Sequence, residues 1–196
     1  MDLENFFGSI TSGDLDAAIK ECSGIVPDWV KLATTTKVIQ KACFDKDDRL
    51  PIGYLTSPRI ANAVMFGFDN ALLDIIPDKS KFGNAVVTRY ADDFVFSTDK
   101  RGACRIFVNA FEELLNTWTS PNLKINATKT RYMSRAGGSM LITGLRVKQD
   151  GEIGVHPNYR DHVRLLLKLY ANAKLKSDDV VRLNGHLAFV QFADPQ

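Results

Sequence analysis

The sequence predicts an α+β fold, with short antiparallel strands packed on amphipathic helices and a smaller helical region at the end. Three observations carry this reading. Residues 86–97 form two strand-forming runs around a tight polar turn. Apolar residues recur at helical spacing through 58–75 and again through about 102–118. From Pro157 onward the apolar pattern is helical only.

The hairpin carries the chemistry. Val86, Thr88 and Tyr90 alternate onto one face, and Phe94 and Phe96 recur at period two, with Ala91, Asp92 and Asp93 between the two runs. Adjacent carboxylates at such a tip repel each other. Turn preference accounts for one aspartate more readily than for two. A divalent cation would relieve the repulsion, and magnesium, a hard ion that favours carboxylate oxygens, is the natural candidate. The plainer alternative is a solvated turn.

Composition bounds the rest. A chain of 196 residues forms one domain, or a domain with a small appendage. No apolar run reaches membrane-spanning length, and residues at the start lack the basic and apolar regions of a signal peptide. Cys22, Cys43 and Cys104 follow no metal-binding spacing and read as buried thiols in a reducing cytoplasm. The net charge of +2 hides an asymmetry: residues 1–100 carry 11 Lys/Arg against 15 Asp/Glu, and residues 124–176 carry 11 against 3. An acidic front and a basic back suit a protein that holds metal in one place and a polyanion in another, although a basic helix that simply faces solvent has the same composition.

In chain order, residues 2–10 are dense in apolar groups and read as buried, an unusual start that suggests further sequence upstream or a partner over this edge. Thr11 or Ser12 caps a helix to about Cys22, and Pro27 opens another to about Cys43 with Trp29, Leu32, Ala33, Val38 and Ile39 on its apolar face. Residues 45–48 form a polar loop. A rigid turn at 50–56 leads into a helix with Ser57 as N-cap and Pro58 in its first turn. Its core stripe is Ile60, Ala63, Val64, Phe68, Ala71, Leu72 and Ile75, and Asn62 reads as a surface amide or a ligand-facing one. The helix after the hairpin carries Phe107, Phe111, Leu114, Leu115 and Trp118 as core. Residues 123–126 are extended. Residues 130–134 and 139–147 read as two strands joined by Gly137-Gly138. Tyr159, Val163, Leu166, Leu167 and Tyr170 form a helical stripe, with Arg160, Arg164 and Lys168 stacked on one face. Ser177 caps a last helix with Val180, Leu183, Leu187, Ala188 and Val190. Two units follow, residues 1–156 and 157–196.

The ordered set of motifs resembles the reverse transcriptases, and within them the bacterial retron-type branch related to group II intron enzymes. Residues 2–10 look like the first catalytic motif, an aspartate followed by Phe-Phe and Ser-Ile. Residues 50–58 resemble the Leu-Pro-Gln-Gly…Thr-Ser-Pro motif, and Tyr90-Ala91-Asp92-Asp93 matches the catalytic box. Residues 123–130 resemble Leu-x-x-Asn-x-x-Lys-Thr, residues 142–145 the primer-grip hairpin, and residues 183–190 the thumb segment. The resemblance implies a polymerase palm at 1–156 and a helical thumb at 157–196.

It also implies roles. Asp2, Asp92 and Asp93 would bind two Mg2+ ions (Mn2+ being the alternative) about 4 Å apart, for in-line transfer between a primer 3′-hydroxyl and an α-phosphate. Phe7 would crowd a ribose 2′-hydroxyl. Leu3, Asn5 and Phe6 would sit at the triphosphate, the last two offering backbone amides, while Gly53, Thr56 and Ser57 would line the nucleotide and template. Lys129 would neutralise or protonate the pyrophosphate. Gly144, Arg160, Arg164 and Lys168 would contact nucleic acid. The partners implied are an RNA template, a DNA primer and deoxynucleoside triphosphates, and retron-type relatives often serve in phage defence.

Two departures stand out. Ile52 occupies the place of the family's Gln, which removes a polar contact near the nucleotide sugar. The resemblance also begins at the first catalytic motif, so the chain reads as palm and short thumb: a fragment, a truncated product or half of a split enzyme, with the fingers supplied by another polypeptide. The alternative to a polymerase is a non-catalytic nucleic-acid-binding or assembly subunit that keeps the fold.

Overall fold

The structure is a computed structural model and describes residues 1–194. It divides into two compact units, Met1–Arg131 and the residues from Tyr132 onward. The change of pattern at Pro157 coincides with the start of a helix, while the division into units falls earlier, so three short strands group with the closing helices.

The first unit is helices around one hairpin. Its elements are α1 (Phe6–Ser9), α2 (Ser12–Glu21), α3 (Ala33–Cys43), α4 (Ser57–Val64), α5 (Phe66–Ile75), α6 (Lys79–Phe82), β1 (Ala85–Tyr90), β2 (Asp93–Thr98) and α7 (Ala103–Thr117). β1 and β2 pair antiparallel from Ala85↔Thr98 to Tyr90↔Asp93, leaving a two-residue turn of Ala91 and Asp92. Ala91 adopts φ 54°, a left-handed conformation that this tight turn requires and that few residues other than glycine and asparagine take readily.

The hairpin is not alone. Residues 1–3 lie along β2, with Phe94 N–H donating to the Met1 carbonyl at 2.8 Å and Leu3 N–H to the Asp92 carbonyl at 3.2 Å. Their other edge meets residues 124–126, where Glu4 N–H donates to Lys124 and Asn126 N–H to Asp2, both at 2.8 Å. The result is a four-stranded antiparallel arrangement in which the chain start is a central member. Buried backbone polar groups need such partners. Of residues 2–10, expected to be buried, Asp2, Leu3, Phe6 and Ile10 are buried, while Glu4 and Asn5 are exposed.

The core is aromatic. Ala103, Phe107, Phe111 and Leu115 recur every four residues on the buried face of α7. Phe94 and Phe96 meet them from one face of β2. Phe96 stacks on Phe107 with centroids 4.0 Å apart, and Phe94 and Phe68 pack edge-on against Phe111 at 4.8 and 5.5 Å.

Several expectations change in the first unit. The helix predicted from Pro27 is a 3-10 turn, Asp28–Lys31, and then α3, broken at Leu32. Its supposed apolar face is largely exposed at Trp29, Leu32 and Val38, because none of these meets the core. The helix through 58–75 breaks at Met65 into α4 and α5. Met65 and Ala61 are buried there, and Ala63 is exposed. Thr56, not Ser57, is the N-cap of α4. Thr11 does cap α2, in a reciprocal capping box with Asp14. Of the cysteines only Cys43 is buried; Cys22 and Cys104 are half-buried.

The second unit is a three-stranded meander, β3 (Met140–Ile142), β4 (Leu145–Val147) and β5 (Ile153–Val155), followed by α8 (Pro157–Ala171) and α9 (Ser177–Ala193). Residues 130–134 are not a strand. The hairpin lies within 139–147 instead, turning at Thr143 and Gly144, both at positive φ, as a two-residue type I′ turn demands. Val155, Val163, Leu183 and Ala193 form a small core, while Leu167, Tyr170 and Ala188 of the predicted stripes face solvent. A hydrogen bond of 2.7 Å joins the Tyr159 hydroxyl to His186 Nδ1 across α8 and α9. Among the described residues no helix is long and apolar enough to cross a membrane.

Phe111 is fully buried and touches three other aromatic rings. Phe111→Ala should destabilise the first unit by about 3–5 kcal/mol. That corresponds to a melting midpoint lower by roughly 10 °C or more, read by thermal denaturation.

Candidate active site

The chain start, the hairpin tip and the segment after residue 123 converge because they are neighbouring strands. Asp2 bridges to Asp93 and Leu3 to Ile125, so the first carboxylate is brought beside the hairpin pair by main-chain pairing alone. A cleft of about 290 Å³ opens at this end of the sheet. Residues 2–7, Asp92, Asn126, Lys129 and the exposed Ile52 line it.

The electrostatics are acidic and only partly balanced. Asp2 is buried, and Lys129 Nζ reaches over it, 3.0 Å from Oδ1 and 3.2 Å from Oδ2. Only the contact with Oδ2 has the alignment of a hydrogen bond, so Oδ1 is a buried oxygen without one. Burial, then the charges of Asp92 and Asp2, raise the Asp93 carboxyl above its ordinary value. The hydrogen bond from Lys129 to Asp2, with the surrounding negative charge, raises the Lys129 ammonium above the usual lysine value. Lys129 therefore supplies the counter-charge that a bound cation would otherwise provide. Among the described residues no group of three acidic, histidine or cysteine side chains already encloses one point as a cation cage. The donor set nevertheless fits a hard divalent ion: all-oxygen ligands, one of them buried and without a hydrogen bond, and like charges held together.

The α1 corner shapes the opposite wall. Asn5 takes φ 44°, a conformation asparagine tolerates, and its side chain folds over Gly8. A Cβ at Gly8 would stand 2.5 Å from Asn5 Oδ1, so a larger residue there would displace the exposed Asn5 side chain. Phe6 is buried and holds the half-buried Phe7 edge-on, with ring centroids 5.2 Å apart.

The other predicted residues fall elsewhere. Gly53, at φ 94°, and Thr56 are exposed on the loop beyond Ile52 and do not line the cleft. Ser57 is buried, and its hydroxyl donates to the Pro51 carbonyl at 2.6 Å, so it shapes the loop. Gly144 sits at the exposed β3–β4 turn. Of the basic stripe on α8, Arg160 pairs with Asp194 and Arg164 with Asp161, while Lys168 is exposed. Glu4 and Asn126 line the cleft without having been singled out as site residues. Asn126 had a signal in its position within the 123–130 motif. Glu4 had the same kind of signal, standing between Leu3 and Asn5 in the 2–10 motif.

An antiparallel sheet backed by helices, with a paired-aspartate hairpin tip beside a third aspartate and a lysine, is the arrangement of a palm-like domain. The family described as reverse transcriptase (RNA-dependent DNA polymerase) matches residues 1–166, and the chain belongs to that family. It is similar to the retron Ec73 reverse transcriptase of Escherichia coli, 35% identical over 200 residues that cover 100% of this chain and 61% of that protein. The retron Ec83 reverse transcriptase of Escherichia coli is 25% identical over 202 residues, covering 100% of this chain and 62% of that protein. The retron Mx65 reverse transcriptase of Myxococcus xanthus is 29% identical over 148 residues, 74% of this chain and 31% of that protein. The chain thus spans about three fifths of the length of the two Escherichia coli relatives.

The repulsion has a pH signature. A folded-state pKa raised above the unfolded value gives stability that is present below the ordinary carboxylate range and lost as pH rises through the raised value. In chelator, Asp93→Asn should therefore melt above wild type at pH 7, by about 1–3 °C, and the gain should vanish below about pH 4. Thermal melts across pH read this directly.

Proposed function

We propose that this chain is the catalytic palm and thumb of an RNA-directed DNA polymerase of the retron type, and that Asp2, Asp92 and Asp93 hold divalent magnesium at the cleft. The single observation that carries the reading is the pairing of Asp2 with Asp93, beside Lys129 ion-paired to the buried Asp2 carboxylate. When bound, the two ions supply Lewis-acid stabilisation of the attacking and leaving oxygens in phosphoryl transfer.

The residues of the chain do the rest. Asp2 is held rigidly by strand pairing on both sides, so the carboxylate is preorganised. The Lys129 side chain is 60% exposed, so it can swing from Asp2 toward a triphosphate, where it offsets pyrophosphate charge. Phe7, braced by Phe6, lines the cleft and in this reading would crowd a ribose 2′-hydroxyl. Asn5 and Phe6 present backbone to the phosphates. Ile52 offers that cleft an apolar wall where relatives in the family carry an amide. Template and primer bind through phosphate contacts of the basic region 124–176, including Lys168. A role in phage defence, implied by the resemblance to retron-type enzymes, belongs to this reading.

A second reading, a non-catalytic nucleic-acid-binding or assembly subunit, is favoured by one observation: Lys129 already neutralises Asp2.

Magnesium-dependent extension of a DNA primer on an RNA template separates the two. The purified chain should extend the primer, and Asp92→Asn or Asp93→Asn should reduce extension by at least about 100-fold while the fold is kept. Salt-sensitive binding without extension would support the subunit reading. Phe7→Ala should shift the ratio of ribonucleotide to deoxyribonucleotide use by about 10–100-fold toward ribonucleotides, read by single-nucleotide incorporation. An unchanged ratio would remove Phe7 from the sugar contact.

A further inference from the structure

Arg89 lies on the inward face of β1, two residues before Ala91. Its side chain is only 10% exposed, and its donors meet three different groups. Nε and Nη2 donate to Oδ1 and Oδ2 of Asp69 at 2.8 and 2.6 Å, the two-pronged geometry that matches a guanidinium to a carboxylate. Nη1 donates to Asn62 Oδ1 at 3.1 Å and to the Ala91 carbonyl at 3.2 Å. Asp69 belongs to α5 and Asn62 to α4, so one side chain ties the hairpin turn to two helices.

The tied group is the informative one. The Ala91 carbonyl shares its peptide plane with the N–H of Asp92, and Ala91 is the turn residue at φ 54°. On the other side, the Asp92 carbonyl accepts from Leu3 N–H at 3.2 Å. Asp92 is therefore held by a hydrogen bond to the peptide before it and another to the peptide after it. The charge of Arg89 is answered by Asp69, and its remaining bonds go to neutral acceptors, so its effect on the cleft is geometric more than electrostatic.

We propose that Arg89 is a positioning residue: anchored by Asp69 and Asn62, it fixes the Ala91–Asp92 peptide in the orientation that presents the Asp92 carboxylate to the cleft. The inference rests on the reading of Asp92 as a cation-holding carboxylate. Lysine at this position keeps the charge but lacks the planar fork, and it cannot bridge Asp69, Asn62 and the turn together.

The test compares wild type with Arg89→Lys and Asp92→Asn. Its readouts are the melting midpoint, hydrogen exchange of the Leu3 amide against the Phe111 amide in α7, and Mn2+ affinity from the free-ion spin-resonance signal. In Arg89→Lys the Leu3 amide should exchange about tenfold faster with Phe111 unchanged, the loss expected for one charge-assisted hydrogen bond. Mn2+ should bind about tenfold more weakly, and where primer extension is measured, kcat should fall by roughly 100-fold with KM for the nucleotide nearly constant. A variant that melts lower yet keeps wild-type exchange at Leu3 and wild-type Mn2+ affinity would show an ordinary structural ion pair and overturn the proposal. Should Arg89→Lys fail to fold, Asn62→Ala at an exposed position carries the same readouts, with the same direction expected. If Mn2+ binding proves independent of Asp92, the cation reading fails, and the Leu3 exchange alone then supports or overturns the hold of Arg89 on the turn.

Discussion

Like-charge repulsion among carboxylates at one end of a sheet is the constraint on which the rest of this structure depends. Asp2, Asp92 and Asp93 gain nothing from one another; two of them are adjacent in the chain and the third is fixed opposite by strand pairing. Such an arrangement survives only if the surrounding structure over-determines it. Here that structure is the insertion of residues 1–3 between β2 and residues 124–126, with main-chain hydrogen bonds on both edges. Beneath it, the aromatic core of Phe68, Phe94, Phe107 and Phe111 prevents the sheet from relaxing away from the repulsion.

The same geometry explains why Lys129 is where it is. It comes from the segment directly after the strand that flanks Asp2, so a short 3-10 turn, Ala127–Lys129, is enough to carry its ammonium back over the carboxylate. The ion pair is mostly solvent-exposed on the lysine side and holds Asp2 loosely. A loosely held counter-charge on a buried carboxylate is what a site needs if it is to exchange a protein cation for a metal ion. The rigid parts, by contrast, are main-chain pairing and the turn at Ala91. Stability and chemistry therefore divide between backbone and side chains, with the strained turn as their junction.

The second unit follows a different logic. Its hydrophobic core is small, and its helices are held partly by polar links, Arg160 to Asp194 and Tyr159 to His186. The arginine at the head of the predicted basic stripe is thereby half-buried and paired, and the exposed part of the stripe lies toward Lys168. Charge composition alone overstates the free positive surface, because spacing by four aligns cations on a helix but says nothing of the acidic partners that a neighbouring helix brings to them.

The sequence by itself determined the α+β class, the hairpin around Asp92 and Asp93, the core face of α7, a cap for α2 at Thr11 or Ser12 and the family resemblance. All of these rest on local periodicity or on motif order, which are one-dimensional properties. Only the tertiary structure decided that residues 1–3 form a central strand, that Ser57 turns its hydroxyl inward, that Trp29 and Val38 face away from the core, and that Arg89 reaches Asp69 and Asn62. The strand insertion and the contacts of Arg89 are pairings between segments far apart in the chain, and the outward turn of Trp29 and Val38 reflects what those segments leave uncovered. An alternating or helical pattern states which residues share a face, but the identity of what meets that face is set by the packing of the whole.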